Sequence, residues 1–382
     1  MTPILPPLRL TGAEILRDGV MQRRSISLAE GRITRGPLPE VDLSGYLILP
    51  GIIDLHATGL TRHMAPQPFD PFPAESALLA TDHAAAAQGV TLALLCQSWS
   101  WRGGIHGPDH AEAMITALEA YRPRALTDLR LKIRAETHLV ETEARLIATV
   151  ARHRIGYVVF TTDPAESPQP QSHMDQNPAA PAPGAMQHPR AAARDVPRHL
   201  CTLAEAFDAL GVIYGSHADP DGETREHYSM IGARVAEFPV TRRAAAAAHA
   251  MMNPVVLSAP DVLHGHGPAG TAACDLIAAG FCDALASDTE DATLALAAWA
   301  LVDRGLASLP KAWAMISSRP AEILRLVDRG RLDPGLRADL VVINAETRRI
   351  EATICGGRPS YLSDGAAQRF LAQPRTLRMA AE

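Results

Sequence analysis

Residues 51–57 read GIIDLHA, a short apolar run that follows a glycine and closes on an aspartate and a histidine. Seven more short apolar runs follow, bounded by glycine, proline or polar residues and separated by Ala-rich stretches of helical length. They are 89–97 (GVTLALLCQ), 129–138 (LRLKIRAETH), 155–163 (IGYVVFTTD), 210–219 (LGVIYGSHAD), 234–240 (RVAEFPV), 253–260 (NPVVLSAP) and 282–288 (CDALASD). Eight strands alternating with helices predict an α/β fold, a (β/α)8 barrel of the TIM type. The alternative is a doubly wound open sheet, but no GxGxxG follows the first strand.

The two ends of the chain have a different character. Short strand-like segments with Gly and Asp at the turns fill the first 48 residues, and similar segments return near the C-terminus. We therefore expect a small β-sandwich domain made of residues 1–48 and 335–382, beside a barrel of residues 49–334. Residues 164–200 hold eight prolines and almost no periodicity, which predicts a long loop. It would be either a lid over the barrel mouth or a disordered insertion.

The composition excludes several classes of protein. The net charge is −6 with acids and bases mixed along the chain, which disfavours a nucleic-acid partner. No apolar run of membrane-spanning length occurs, and the first residues lack the features of a signal peptide. The five cysteines are odd in number and lack zinc-finger spacing, which is typical of reduced thiols in the cytoplasm. A homo-oligomer is allowed by these features but not indicated.

Polar side chains end several of the predicted barrel strands. The residues are His56, Glu136, His138, His217 and Asp288. Barrel enzymes place their chemistry at the carboxyl ends of the strands, and these side chains are the ligands that zinc- or manganese-type ions accept. A single strand-end histidine is more often structural, but acids and histidines on several strand ends favour a metal site. Asp288 is the carboxylate placed to take a proton from water.

The stretches LILPGIIDLHA (47–57) and LDPGLRADLVVI (332–343) resemble the amidohydrolase superfamily, in which a barrel is flanked by a small β-sandwich. A longer, ordered set of motifs resembles the M-protein family of phosphonate utilisation, the α-D-ribose 1-methylphosphonate 5-triphosphate diphosphatases. It includes DHAAAAQGVT, RLKIRAETH, YGSHADPD, VAEFPVT, SAPDVLHGHGPAG and LASDTEDATL. The resemblance implies a hydrolase of the carbon–phosphorus lyase pathway that releases diphosphate from a small phosphorylated metabolite. It also implies metal-binding or proton-handling roles for His56, Glu136, His217 and Asp288.

The sequence departs from that family at several positions. A carboxylate of the first-strand motif is replaced by Thr58, and Asp163-Pro164 stands where the family has Asp-His. These losses weaken a two-metal centre, so the number of ions, one or two, stays open. His138 could restore a ligand, because alternation along a strand would place it on the same face as Glu136.

Phosphate recognition changes as well, since a family arginine is replaced by His264. The groups that could still meet a phosphate are Arg62, His63, His264 and His266. Two other functions stay open at this point. One is a mononuclear amidohydrolase that cleaves a C–N bond, and the other is an inactive paralogue that binds a metabolite.

Overall fold

The structure, a computed structural model, describes residues 3–60, 74–162, 191–265, 272–290 and 292–372. Its strands are β1 (Leu8–Thr11), β2 (Glu14–Arg17), β3 (Val20–Arg23), β4 (Ile26–Ala29), β5 (Arg32–Thr34), β6 (Glu40–Asp42), β7 (Tyr46–Pro50), β8 (Ile52–Ala57), β9 (Val90–Trp99), β10 (Asp128–Glu136), β11 (Tyr157–Thr161), β12 (Ile213–His217), β13 (Val235–Glu237), β14 (Val255–Ser258), β15 (Ala284–Ala286), β16 (Leu340–Asn344), β17 (Ile350–Cys355) and β18 (Arg358–Leu362).

Most of the helices alternate with the middle strands. They are α1 (Ala74–Ala87), α2 (Pro108–Tyr121), α3 (Glu143–His153), α4 (Val196–Leu210), α5 (Gly222–Met230), α6 (Arg242–Ala250), α7 (Ala259–His264), α8 (Ala273–Ala278), α9 (Thr293–Asp303), α10 (Leu309–Ala314), α11 (Ser318–Ile323) and α12 (Asp364–Leu371). None of these helices, over the ranges that the structure describes, is both long and apolar enough to cross a membrane.

Strands β8 to β15 form one parallel sheet in chain order. Each coincides with one of the eight apolar runs, so the barrel prediction is confirmed. A parallel bridge between Ala57 and Asp288 closes the sheet on itself, and the Asp288 amide donates to the carbonyl of His56 at 2.9 Å. The Thr58 hydroxyl donates to the Asp288 carbonyl at the same seam. The first and last barrel strands therefore meet at the end where the polar residues were predicted.

The side chains of β10 alternate between the outer and the inner face of the barrel. Leu129, Leu131 and Ile133 belong to the apolar core between the sheet and the helices. The alternate residues, Lys132 and Arg134, therefore lie on the inner face of the barrel. A barrel interior is normally filled by branched apolar residues. Two basic side chains on its inner face mark a site that serves more than packing.

The chain ends form two further sheets, in the strand orders β5-β4-β1-β6 and β18-β17-β16-β7-β2-β3. In the second sheet β16 runs antiparallel to β7, so C-terminal and N-terminal segments are hydrogen-bonded neighbours. Leu10 from one sheet packs in the same buried cluster as Ile48 and Leu340 from the other. The proposed assignment of residues 1–48 and 335–382 to one small domain is based on this shared core.

The N-terminal stretch LRLTGAEIL (8–16) is divided between β1 and β2 at Gly12, whose φ is +79°. One predicted boundary is corrected. The predicted loop 164–200 ends too late, because α4 begins at Val196 with a proline in its first turn, where no N–H donor is needed. Most of that predicted loop, residues 164–190, lies outside the described residues.

Candidate active site

Three side chains from different barrel strands converge at the carboxyl end of the sheet. His56 on β8, His217 on β12 and Glu237 on β13 offer ligand atoms that all lie within 4.8 Å of one another. The Oε2 atom of Glu237 is 2.9 Å from the Nδ1 atom of His56 and 3.6 Å from that of His217. Two imidazoles and one carboxylate at this separation suit a single divalent cation.

Glu237 is also held by two groups from the neighbouring strands. The Nζ atom of Lys132 lies 2.6 Å and 2.7 Å from the two carboxylate oxygens, and the Tyr157 hydroxyl donates to Oε1 at 2.7 Å. The side chains of Lys132 and Glu237 are both 0% exposed. The carboxylate is thus fixed on one side by a cation and a phenol, and on the other it faces His56 and His217.

The electrostatics of the site favour neutral imidazoles beside an ionised carboxylate. Burial, reinforced by Lys132, lowers the pKa of His56 well below its usual value. Burial also lowers the pKa of His217 to about 4. For Glu237 burial acts in the opposite direction, but the Lys132 ammonium and the two histidines outweigh it and hold the pKa well below the ordinary range. These are the protonation states in which histidine and glutamate bind metals.

The backbone is strained where the strands leave the barrel. Ala218, Phe238 and Asp288 have φ values of 61°, 51° and 53°, a left-handed conformation that is uncommon outside glycine. Two of them directly follow His217 and Glu237. The Phe238 ring packs against both imidazoles, with centroids 5.0 Å from His56 and 5.3 Å from His217. Strain of this kind clusters at active sites, where it aims side chains.

The other predicted ligands occupy different surroundings. Among the residues that the structure describes, Glu136, His138 and Asp288 do not belong to the cluster of metal-ligand atoms formed by His56, His217 and Glu237. His138 lies beyond the last residue of β10, and its Nδ1 atom is 3.1 Å from the Ala191 carbonyl oxygen. The same-face argument for His138 therefore does not apply, because the strand ends before it.

Asp288 lies next to the site because its backbone N–H donates a hydrogen bond to the carbonyl of His56. Its carboxyl group is largely enclosed, and burial raises its pKa to about 6 despite the nearby guanidinium of Arg134. A carboxyl group with such a pKa can accept and release protons near neutrality.

The structure describes one of the four predicted phosphate contacts. His264, at the end of α7, is exposed and its Nε2 atom lies 3.3 Å from a carboxylate oxygen of Glu290. Arg62, His63 and His266 lie outside the described residues. A basic residue that the sequence analysis did not select, Arg134, lies on the inner face of the barrel instead.

Sequence reasoning missed Glu237, Lys132 and Arg134, although each leaves a signal. Glu237 is the last residue of β13, so the strand-end rule that selected His56 and His217 applies to it equally. Of the 36 lysines and arginines only two are lysines, and Lys132 is one of them. A charged residue alternating with leucine and isoleucine inside a predicted barrel strand indicates a functional inner face.

The chain has a clear relative among characterised proteins. It is 29% identical over 363 residues to the alpha-D-ribose 1-methylphosphonate 5-triphosphate diphosphatase of Escherichia coli (strain K12), an alignment that covers 89% of this chain and 96% of that protein. This confirms the resemblance that the ordered motifs indicated. No family model matches the chain.

Solved structures show the same architecture at low sequence identity. A Xaa-Pro dipeptidase with methionine in its active site is 15% identical with a TM-score of 0.65, covering 94% of this chain and 100% of that one. The N-acetylglucosamine-6-phosphate deacetylase of Pasteurella multocida is 12% identical with a TM-score of 0.64, covering 92% and 99%. The chain is therefore a homologue of the Escherichia coli diphosphatase, built on the fold shared by the amidohydrolases.

Proposed function

We propose that the chain is a cytoplasmic metal-dependent hydrolase that cleaves a phosphoanhydride bond in a phosphorylated ribose metabolite. Its first candidate substrate is α-D-ribose 1-methylphosphonate 5-triphosphate, which would yield the 5-phosphate and diphosphate. The observation that carries the proposal is the convergence of His56, His217 and Glu237 at the mouth of a barrel whose sequence is related to that diphosphatase. Five free thiols favour the cytoplasmic location.

The residues present fit one divalent cation of the zinc or manganese type. The donor set is two neutral imidazoles and a carboxylate, and the Glu237 oxygens leave little room for a second ion because the Lys132 ammonium lies within 2.7 Å of both. A cation so placed, when bound, supplies Lewis-acid activation of water and of a phosphoryl oxygen. We therefore propose one ion per chain, held by His56, His217 and Glu237.

The neighbouring residues prepare these ligands. Lys132 keeps Glu237 ionised and fixes its orientation, and in the metal-free site Glu237 in turn holds the ring of His56 through Nδ1. Asp288, at the closing seam of the barrel, is the group we assign to accept a proton from the attacking water. We assign no ligand role to Glu136 or His138, because neither belongs to the cluster of ligand atoms formed by His56, His217 and Glu237.

Arg134 favours an anionic substrate. It lies two residues nearer the mouth than Lys132 on the inner face of β10, and it is only partly exposed. Its guanidinium donates to the Ser98 hydroxyl at 3.2 Å and forms no ion pair within the described part of the chain. The Asp288 carboxyl group lies near this guanidinium but does not form an ion pair with it. A partly buried guanidinium without a directly paired carboxylate gains from binding an anion, and it matches a phosphoryl group in charge and geometry.

A C–N hydrolase with one ion is the second candidate, because a three-donor site also serves amide cleavage in principle. The structural neighbours include a dipeptidase and a deacetylase. Arg134 disfavours only an uncharged amide, since a dipeptide or a phosphorylated amide would also bring an anion to the guanidinium. The sequence relationship to the diphosphatase is what favours the first candidate.

The test is a substrate assay on metal-defined protein. Purified chain would be stripped with a chelator, reloaded with Zn²⁺ or Mn²⁺, and supplied with the ribosyl triphosphate while diphosphate release is measured. We expect diphosphate from reloaded protein and none from stripped protein or from the His56→Ala variant. Absence of release from fully loaded protein, together with cleavage of an N-acyl substrate, would replace this proposal by the second candidate.

A further inference from the structure

A large cleft lies between strands of the two terminal sheets, formed by residues other than those of the barrel site. Its volume is about 1010 Å³, and an adjoining cavity of about 330 Å³ shares part of its lining. The volume is in the range of pockets that bind small ligands. The lining is contributed mainly by β1, β2, β3 and the turns beside them.

The cleft is lined by guanidinium groups. Five arginines face it, and among the described residues that line it there is no carboxylate: Arg9, Arg17, Arg23, Arg24 and Arg35. The remaining lining residues are small, and two serines and a threonine add hydroxyl groups. A concave surface with one sign of charge concentrates counter-ions of the opposite sign. In a chain whose net charge is −6, this local excess of positive charge is distinctive.

Some of these charges are balanced from outside the cleft and others are not. Three arginines have carboxylates at 3.4–3.7 Å, which are long and partly exposed contacts: Arg9 with Glu40, Arg17 with Asp333 and Arg23 with Glu14. Arg24 and Arg35 are exposed, and their guanidinium groups form no ion pair or hydrogen bond in the parts of the chain that the structure describes. The cleft therefore carries an excess of two positive charges at least.

The geometry prepares the cleft for a ligand. The Nε atom of Arg9 donates to the Ser25 hydroxyl at 2.8 Å, which fixes the direction of that side chain. The buried Nε atom of Arg17 lies 3.7 Å from a carboxylate oxygen of Asp333, beyond hydrogen-bond distance. Several guanidinium groups gathered in one cleft are typical of sites for phosphate groups.

We propose that this cleft binds a small condensed phosphate, an anion with two or more linked phosphoryl groups, at a site separate from the barrel. Several guanidinium groups lining one cleft match the dense charge of such an anion. Single-stranded nucleic acid is a poorer match, because it binds through aromatic stacking platforms and the cleft residues described include no aromatic side chain.

The test uses inorganic tripolyphosphate as the probe and isothermal titration calorimetry at moderate salt on the full chain carrying Arg134→Ala, so that the phosphoryl contact proposed for the barrel does not contribute. In this parent protein we expect the added Arg24→Ala/Arg35→Ala change to weaken binding at least about ten-fold. The matched control is Arg198→Ala/Arg243→Ala, which removes two exposed arginines elsewhere, and its affinity should change less than about two-fold. An Arg24→Lys/Arg35→Lys variant, which keeps the charge, should be intermediate.

A second arm separates the cleft from the barrel. Arg134→Ala alone should lose the tripolyphosphate that the barrel holds and keep the equivalent bound at the cleft, whatever the enzyme hydrolyses. Loss of all binding in Arg134→Ala, or equal weakening in the control pair, would overturn the proposal. Displacement of the probe by a single-stranded oligonucleotide at lower concentration would also overturn it, since the cleft would then be a nucleic-acid surface.

Discussion

Lys132 and Glu237, 105 residues apart in the chain, form an ion pair inside the barrel, with the ammonium nitrogen 2.6 Å and 2.7 Å from the two carboxylate oxygens. Neither side chain is exposed to solvent. Removing both charges from water is costly, so such a pair is a weak source of stability but a strong constraint on geometry. Here the constrained group is the carboxylate that faces His56 and His217.

The first prediction concerns this pair in metal-free protein. Lys132→Met should lower the free energy of unfolding by about 3–5 kcal/mol, because it leaves the Glu237 carboxylate buried without its cation. Lys132→Met/Glu237→Gln should recover part of the loss. Urea unfolding followed by circular dichroism measures both. Lys311→Met, a change at the exposed second lysine, is the control and should have little effect.

The second prediction concerns the metal. His217→Ala should reduce bound zinc or manganese from about one ion per chain to a small fraction of that, since only two donors remain. The fold should persist, as judged by circular dichroism. Elemental analysis after dialysis gives the count. Asp288→Asn should keep the ion and lose turnover, and an ion lost equally in both variants would contradict the assignment of ligands.

The fold was predictable because its signals are local. Each barrel strand is a buried apolar run, and the strand-end rule selected His56 and His217 without knowledge of which strands face one another. Which residues contact these histidines depends on the position of each residue along the barrel axis. Lys132 and Glu237 lie at the same level along this axis and contact each other, whereas His138 lies past the end of its strand. Strand order and tilt set these positions, and neither is encoded within a single segment.

The third prediction tests Arg134 as the contact for a phosphoryl group. Arg134→Ala should lower kcat/KM for the ribosyl triphosphate by about 100-fold or more, mainly through KM, while metal content is unchanged. Arg134→Lys should restore little, because an ammonium cannot make paired hydrogen bonds. Ser98→Ala, which removes only the hydroxyl beside it, is the control. Unchanged kinetics in Arg134→Ala would refute this role.

The fourth prediction concerns pH. Burial, aided by Asp288, raises the pKa of Asp261 to about 7 from an ordinary 3.8. At a pH between 3.8 and about 7, the Asp261 carboxyl group is therefore protonated in the folded state and ionised in the unfolded state. The free energy of unfolding falls as the pH rises through this range. Asp261→Asn should stabilise the protein by about 1–2 kcal/mol at pH 8, allowing for partial exposure, and have no effect at pH 4.

Denaturant unfolding at pH 4 and at pH 8 tests this prediction. Asp275→Asn is the matched control, because Asp275 occupies the first turn of the next helix and is exposed. It should bring no gain at either pH. Equal stabilisation by both substitutions would mean that helix propensity, and not the buried carboxyl group, causes the effect.

The scarcity of lysine gives the barrel a built-in chemical reporter. Of the two lysine amines, one stands on the surface at Lys311 and the other is sealed beside Glu237. An acylating reagent should therefore modify Lys311 within the native protein and reach Lys132 only in molecules whose barrel has opened. The ratio of the two acylated peptides in a mass spectrum would then count opening events directly, without any engineered label.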